Sequence, residues 1–393
     1  MAPAAADPAM VASSGAPSPF YTPEHEAFRQ TVRRFVDREI MPFVDQWDEA
    51  EEFPRELYGK ASAAGLMQLG FPEEYGGVPT DPFFGIIKAG EMARHGSGGL
   101  NASLNSHTIG APPIAALGPE WMKRKLLPEI LGGEKISALA ITEPSGGSDV
   151  ANLKTTARRE GDHYVVNGSK MFITSGMRAD YYTVAVRTGG PGAGGVSLLL
   201  IEREREGFAR TKLKKMGWWA SDTAQLFFDN VRVPVDNLIG AENKGFIGIM
   251  LNFNQERLGM SAGAWGYAKV CLDEAIAYAR ERHTFGKPLI ANQVVRHRLV
   301  DMAMRINAVK STLDLLAWRV GQGEKPVAEI CMLKNLATST MEYCANEAMQ
   351  IFGGAGYLRG AKVERIYRET KVMSIGGGSV EIMKDLAARQ MGL

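Results

Sequence analysis

A carboxylate stands where an apolar residue is expected. Stepping by three or four residues from Ile249 gives Phe253, Glu256, Met260, Ala264, Tyr267 and Cys271, so Glu256 interrupts a stripe that the helical period turns toward a core. Burying a charge is costly, and the positions three and four residues away, Asn252, Phe253, Gly259 and Met260, hold no cation to neutralise it along the helix. A carboxyl held against Phe253 and Met260 is expected to titrate above its ordinary value of about 4.3, so Glu256 asks for an explanation.

Three other tracts offer polar groups without side-chain bulk. Ile141-Thr142-Glu143-Pro144-Ser145-Gly146-Gly147-Ser148-Asp149 combines hydroxyls, glycine amides and a proline-fixed turn, a donor set that can approach a polar planar or phosphorylated ligand closely. Gly353-Gly354-Ala355-Gly356-Tyr357 and Gly376-Gly377-Gly378-Ser379 expose backbone amides between helices. Taken singly, each is equally readable as a tight turn. Two familiar patterns carry no such meaning. Gly190 to Gly195 fits G-x-G-x-x-G but precedes a strand, Val196 to Ile201, where a dinucleotide turn must open a helix. Gly259-Met260-Ser261-Ala262-Gly263 fits G-x-S-x-G but lies inside a helix rather than on a strand-to-helix elbow, so its small residues are expected to serve close helix packing. The histidines form no H-x-x-x-H pair, and no metal is expected. Lys212, Lys214 and Lys215 read as a solvated strand edge.

The elements that must hold these residues change period twice. Thr22-Pro23-Glu24 caps a first helix with Phe28, Val32, Phe35, Val36 and Ile40 on one face, and further helices follow near 54–66, 82–95, 105–117 and 119–131. Beyond Gly132-Gly133 the alternation becomes strand-like: Tyr164 to Val166 and Met171 to Thr174 flank Asn167-Gly168, read as a hairpin turn, and Tyr181 to Val186, Val196 to Ile201 and Ala224 to Phe228 read as further strands. From Lys244 helical periodicity returns, near 246–283, 290–320, 326–352 and 380–390. The expectation is an α+β protein with a tail at 1–19, a helical domain at 20–137, a β-barrel or sandwich domain at 138–243 and a C-terminal helical bundle at 244–393.

Composition closes off other classes. Forty-five basic against forty-four acidic side chains give a net charge of +1, so no field gathers nucleic acid or an anionic membrane. No run reaches the roughly 18 apolar residues of a membrane span. Three cysteines, without metal spacing, suit a reducing compartment. Residues 1–19 carry no Lys or Arg, the first being Arg29, and read as a disordered tail rather than a targeting segment, which points to the cytoplasm.

Together the tracts resemble one family. Ala140-Ile141-Thr142-Glu143 through Asp149, Lys170-Met171-Phe172-Ile173-Thr174, Arg282-His283-Thr284-Phe285-Gly286-Lys287 with Gln293, Gln350 to Tyr357 and the run Arg365 to Glu369 occur in the order and spacing of the acyl-CoA dehydrogenases, over essentially the whole chain after the tail. The resemblance implies a helical, β and four-helix architecture, FAD held between subunits of a homodimer or homotetramer, an acyl-CoA substrate and electron-transferring flavoprotein as acceptor. It places Leu139, Ile141, Thr142, Gly147 and Ser148 along the flavin, Phe172 and Thr174 beside its ring, and Arg282, Phe285, Gln293, Gln350 and Gly354 at the pyrophosphate and adenosine of a neighbour's FAD. Ser379 and Glu381 fall in the last flavin loop, and Ser148, Asn254, Arg257 and Gly378 on the acyl-CoA.

The chain departs from the best-known members, whose catalytic glutamate stands in the last loop where this sequence has Gly377. It resembles instead the isovaleryl-CoA and long-chain branch, with the glutamate on the long helix before an arginine, as in Gln255-Glu256-Arg257. On this reading Glu256 is the base, and the Gly377 backbone N–H keeps a role at the thioester oxygen. Phe172 replaces a frequent tryptophan, and Gly360 an acidic or amide residue. The tract Lys214 to Ala224 looks like the long-chain and citronellyl-CoA branches, which leans the substrate toward long or methyl-branched chains. An acyl-CoA oxidase on the same scaffold, and a non-catalytic acyl-CoA-binding protein, are the alternatives; rapid reoxidation by air would mark the first and a colourless protein the second.

Overall fold

The computed structural model describes residues 18–393, apart from the side chains of residues 251–255. The tail reading at 1–17 and the substrate assignment of Asn254 lie outside the described residues. In chain order the helices of the first third are α1 (Pro23–Phe35), α2 (Val44–Glu49), α3 (Glu56–Ala63), α4 (Pro82–Met92), α5 (Gly98–Leu104), α6 (His107–Gly110), α7 (Pro112–Leu117) and α8 (Glu120–Leu131). The strands β1 (Ser137–Ala140), β2 (Thr156–Glu160), β3 (His163–Ile173), β4 (Tyr181–Arg187), β5 (Val196–Glu202), β6 (Phe208–Lys212), β7 (Ala224–Pro234) and β8 (Leu238–Ile239) follow. The remainder is α9 (Gly245–Glu281), the ribbon β9 (His283–Thr284) and β10 (Lys287–Pro288), then α10 (Gln293–Gly321), α11 (Val327–Phe352), α12 (Lys362–Ile375) and α13 (Val380–Met391).

Local chemistry sets the helix starts. Thr22 Oγ1 accepts the His25 N–H, with Pro23 at the first helical position of α1. Asp81 caps α4 in the same way, its carboxylate accepting the Phe83 N–H at 2.8 Å ahead of Pro82. Past Phe35 the first helix widens into a π-turn, Val36–Ile40, where the Met41 N–H bonds Val36 O at 2.9 Å.

The chain forms two compact units that do not follow sequence order. One contains residues up to Val44, Asp81–Gly98 and Arg257–Leu393; the other contains Asp45–Thr80 and Gly99–Glu256. In the first, α4 and the C-terminal part of α9 approach with almost no side-chain spacing, since a Cβ on Gly266 would lie 2.7 Å from Ala93 Cβ and 3.1 Å from Gly90 Cα. Cys271, Cys331 and Cys344 are all buried here as free thiols. The second unit is built on a mixed sheet in the order β6-β7-β3-β2-β4-β5-β8, with β1 parallel to β4. Its core joins Ala185 and the larger Leu126, Ile130, Leu198, Leu200 and Ile239 to Ile141 and Ile249, each Leu or Ile side chain worth about 1.5–3 kcal/mol on burial.

Three sequence expectations need correction. Asn167-Gly168 is not a hairpin turn: β3 runs through it as one strand, with a register shift against β7 between Val166 and Gly168. Gly168 has φ 142°, and a Cβ there would meet Thr155 Cα at 2.8 Å, so the glycine serves a bulge and a close backbone approach. The turn lies instead at Gly161-Asp162, between the paired residues Glu160 and His163. In Gly259-Met260-Ser261-Ala262-Gly263 the packing falls to Ser261 and Ala262, both fully buried, while the two glycines face open space and the closest helix approach is made one turn later at Gly266. Of the three lysines read as a solvated strand edge, Lys212 is exposed at the end of edge strand β6 and Lys214 is exposed beyond it. Lys215 is part-buried and donates to Ser221 O at 2.7 Å.

Candidate active site

In the sheet-bearing unit the ligand loop begins where β1 ends. Leu139 pairs with Thr183 and packs against the core, and Ile141 is buried there as well, so these two anchor the loop from beneath. Thr142 is half-buried, and residues 144–149 are exposed, which presents the hydroxyls of Ser145 and Ser148 and the amides of Gly146 and Gly147. A Cβ on Gly147 would press Thr142 Cγ2 at 3.2 Å, so glycine keeps the loop close to that hydroxyl-bearing side chain. The Met171 N–H donates to Thr142 O at 2.8 Å, fastening the loop to β3 beside Phe172. Thr142, Phe172 and Thr174 are therefore held on neighbouring backbone. Phe172 sits at a second register shift of β3 with φ 62°, the residue 63% exposed. A bulky residue in the left-handed region costs roughly 1–2 kcal/mol, and an exposed aromatic side chain forgoes its own burial, so the surrounding sheet sustains a geometry that suits a ligand.

A buried ion pair underlies this loop. Lys170 Nζ donates to Glu143 Oε1 at 2.9 Å and to Ile141 O at 3.0 Å, while Glu143 also accepts the N–H groups of Lys154 at 2.6 Å and Thr155 at 2.8 Å. Burial works to raise the Glu143 carboxyl, but the Lys170 charge and the amide donors outweigh it and hold the group at about 2. Burial pulls Lys170 down to about 8 against the attraction of Glu143. Both are ionised at neutral pH. Sequence reading quoted the two residues inside motifs and gave neither a task.

Glu256 is the last residue of this unit and is half-buried, less enclosed than the stripe implied, whereas Ile249, Ala264, Tyr267 and Cys271 on the same stripe are buried.

In the helical unit the loop between α12 and α13 is gripped by its carbonyl groups. Arg257, 6% exposed, donates from Nε to Gly377 O at 3.2 Å. Lys334, wholly buried on α11, donates to Gly378 O at 2.7 Å, and Asn335 Nδ2 to Val380 O at 3.0 Å. Gly377 has φ 65° and Gly378 φ 109°, conformations that favour glycine. Ser379 caps α13, its Oγ accepting the Ile382 N–H at 3.4 Å, and the exposed Glu381 lies in the first turn, where its own N–H and the Ser379 hydroxyl hold its carboxyl below the usual range.

A third set surrounds a hollow of about 410 Å³ lined by Tyr278, Arg282, Thr284, Leu289, Phe352 and Gly354 among others. Tyr278 and Phe352 stack at 4.3 Å on one side, and Gly353 and Gly354 leave the space above them open. Gln293 and Gln350 are exposed nearby in sequence. Phe285 and Gly286 form the two-residue turn between β9 and β10, with φ 50° and 77°, and the Phe285 ring is fully exposed. Among the described residues no group of three or more His, Cys, Asp or Glu is placed to hold a metal, and no helix is long and apolar enough to cross a membrane.

The donor set fits FAD. A loop of hydroxyls and amides beside an exposed aromatic bulge suits a flavin, and an aromatic-walled hollow with an arginine and side-chain-free glycines suits an adenosine pyrophosphate. Such an architecture is that of a flavin-dependent oxidoreductase. Family models for the acyl-CoA dehydrogenase N-terminal, middle and C-terminal domains match residues 22–134, 138–231 and 243–392. An acyl-CoA dehydrogenase of Alternaria alternata is 38% identical over 396 residues, 94% of this chain and 92% of its own. The mitochondrial long-chain specific acyl-CoA dehydrogenase of Rattus norvegicus is 35% identical, with 94% and 87% covered. The crystal structure of an acyl-CoA dehydrogenase from Geobacillus kaustophilus superposes with a TM-score of 0.92 at 37% identity, covering 96% of this chain and 100% of that one. The chain belongs to the acyl-CoA dehydrogenase family, whose members are FAD-dependent oxidoreductases.

Proposed function

We propose that the protein removes the α and β hydrogens of an acyl-CoA thioester to give a trans-2-enoyl-CoA, with Glu256 as the base for the α proton. The observation that carries this is local: Arg257, the residue after Glu256, donates to Gly377 O in the loop that lacks a carboxylate side chain. Glu256 thus adjoins in sequence the residue that grips this loop. When bound, FAD would supply the hydride acceptor for the β hydrogen. The chain's own share is to take the α proton on the Glu256 carboxylate and to meet the developing enolate oxygen with the Gly377 N–H. Thr142, Ser148, Phe172 and Thr174 orient the flavin, while Arg282, Gly354, Gln350, Gln293 and Phe285 serve its pyrophosphate and adenosine.

The absent side chain at Gly377 leaves room near the reacting carbons, and a long-chain specific enzyme is among the relatives. Both favour a long or methyl-branched acyl chain. Electrons leave to electron-transferring flavoprotein in the cytoplasm, and the protein works as a homodimer or homotetramer; exposed Val300, Met304 and Trp318 on α10 favour such association. Turnover of an acyl-CoA panel with an artificial acceptor tests the reading. Glu256→Gln is expected to keep bound FAD and lose roughly 100- to 10 000-fold in turnover; a near-normal rate refutes the assignment, and preference for short straight chains refutes the substrate class.

A further inference from the structure

Lys334 lies on a largely apolar part of α11 with Ile330, Cys331, Leu333, Ala337 and Met341, all buried. A wholly buried ammonium is costly to hold unless it meets good acceptors. One of its acceptors is Gly378 O at 2.7 Å, in the loop whose preceding carbonyl, Gly377 O, is held by Arg257. Asn335, the next residue on α11, takes Val380 O. Three carbonyl oxygens within four residues are therefore gripped from side chains, two of them by buried cations.

Peptide geometry makes this grip directional. Each peptide unit is planar, and no bond among the described residues is cis, so a carbonyl fixed on one side sends the N–H of the same unit to the other. Holding Gly377 O and Gly378 O thus aims the N–H groups of Gly378 and Ser379 away from the cations. It also fixes one of the two peptide planes that flank Gly377; the other plane, which carries the Gly377 N–H, is set from it by that residue's φ, 65°, and ψ. A cation on the carbonyl further polarises the amide and strengthens its N–H as a donor. Gly378 lies close under Met383, where a Cβ would come 2.4 Å from Met383 Cε, so the position takes glycine with the least disturbance.

We propose that Lys334, acting with Arg257, is a positioning residue for the thioester carbonyl: it holds the carbonyl face of the 376–379 loop so that the loop's N–H groups meet the substrate oxygen. This rests on the reading that the protein dehydrogenates acyl-CoA thioesters, and it adds a residue that touches neither substrate nor cofactor.

The probe is an aryl-conjugated 2-enoyl-CoA, whose absorption moves to longer wavelength as its carbonyl is polarised, added to the FAD-loaded full chain. Wild type is expected to give the red shift. Lys334→Met is expected to lose most of it while binding the probe within about threefold of wild type, and to lower kcat roughly 10- to 100-fold with KM changed far less. Lys334→Arg is expected to recover most of both. A full shift and unchanged kcat in Lys334→Met overturn the proposal. Should that variant fail to fold, Lys334→Gln decides, since it keeps a donor and removes the charge: a reduced shift supports the proposal and an undiminished one overturns it. The shift does not require Glu256, so its absence from wild type strikes the acyl-CoA reading itself, whereas its presence in wild type and every variant strikes only the role of Lys334.

Discussion

Lys170 Nζ lies 2.9 Å from Glu143 Oε1 and 3.0 Å from Ile141 O, so one buried ammonium fastens both the acidic residue and the first residue of the 141–149 loop. Removing one partner leaves an uncompensated charge in a dry site. Lys170→Met is expected to lower unfolding free energy by about 3–5 kcal/mol, and Lys170→Met with Glu143→Gln by less than the two single changes summed. Denaturant unfolding of the four proteins measures this; additive losses would mean that the two groups act independently.

The same pair sets an acid limit. The Glu143 carboxyl titrates at about 2 in the folded chain, against 4.5 for the free group. Its contribution is therefore complete above about pH 4.5 and is lost as pH falls toward 2, by on the order of 3 kcal/mol. Glu143→Gln should flatten the stability curve in that window relative to wild type. Lys170 acts in a separate window above about pH 8, where a depressed ammonium makes stability rise with pH.

Gly378→Ala tests the loop directly. The Met383 methyl could move aside, but φ 109° cannot be adopted by alanine without strain of about 1–3 kcal/mol. We expect retained FAD and a reduced kcat; an alanine variant with wild-type turnover would show that the loop tolerates another path.

The glycines of α9 should respond in opposite directions. Gly266→Ala forces a Cβ to within 2.7 Å of Ala93 Cβ and 3.1 Å of Gly90 Cα, and neither can yield without separating the helices, so Tm should fall. Gly259→Ala enters open space in the same helix and should raise stability by about 0.5–1 kcal/mol.

Arg282 lines the aromatic hollow with Tyr278 and Phe352. Arg282→Met is expected to purify with less FAD per chain and to regain its yellow colour on adding excess FAD. An unchanged flavin content would move the adenosine site elsewhere.

Periodicity read the long helices of the last third nearly to their ends, because each buries one face over many turns. It could not foresee that Asp81–Gly98 join the C-terminal helices while Gly99 onward joins the sheet, since membership of a compact unit depends on contacts remote in sequence. Asn167-Gly168 misled because a bulge and a turn both ask for glycine, and only the partner strand β7 distinguishes them. The hydroxyl loop and Glu256 stood out as chemistry placed against the local pattern. Lys334 gave the same signal, a charge among Ile330, Leu333, Ala337 and Met341 on α11, and was overlooked because it lies in none of the glycine tracts. Helix α12 is not legible from periodicity, although the run Arg365 to Glu369 carries its buried Arg365 and Glu369.

The three buried cysteines complete the picture of a protein that handles electrons. Burial, reinforced by Cys344 nearby, pushes the Cys271 thiol well up, and burial pushes Cys344 to about 12. Almost no thiolate exists at neutral pH, and thiolate is the form that oxidants and alkylating agents attack. Thiol reactivity is thereby muted at Cys271 and Cys344, deep in the helical unit.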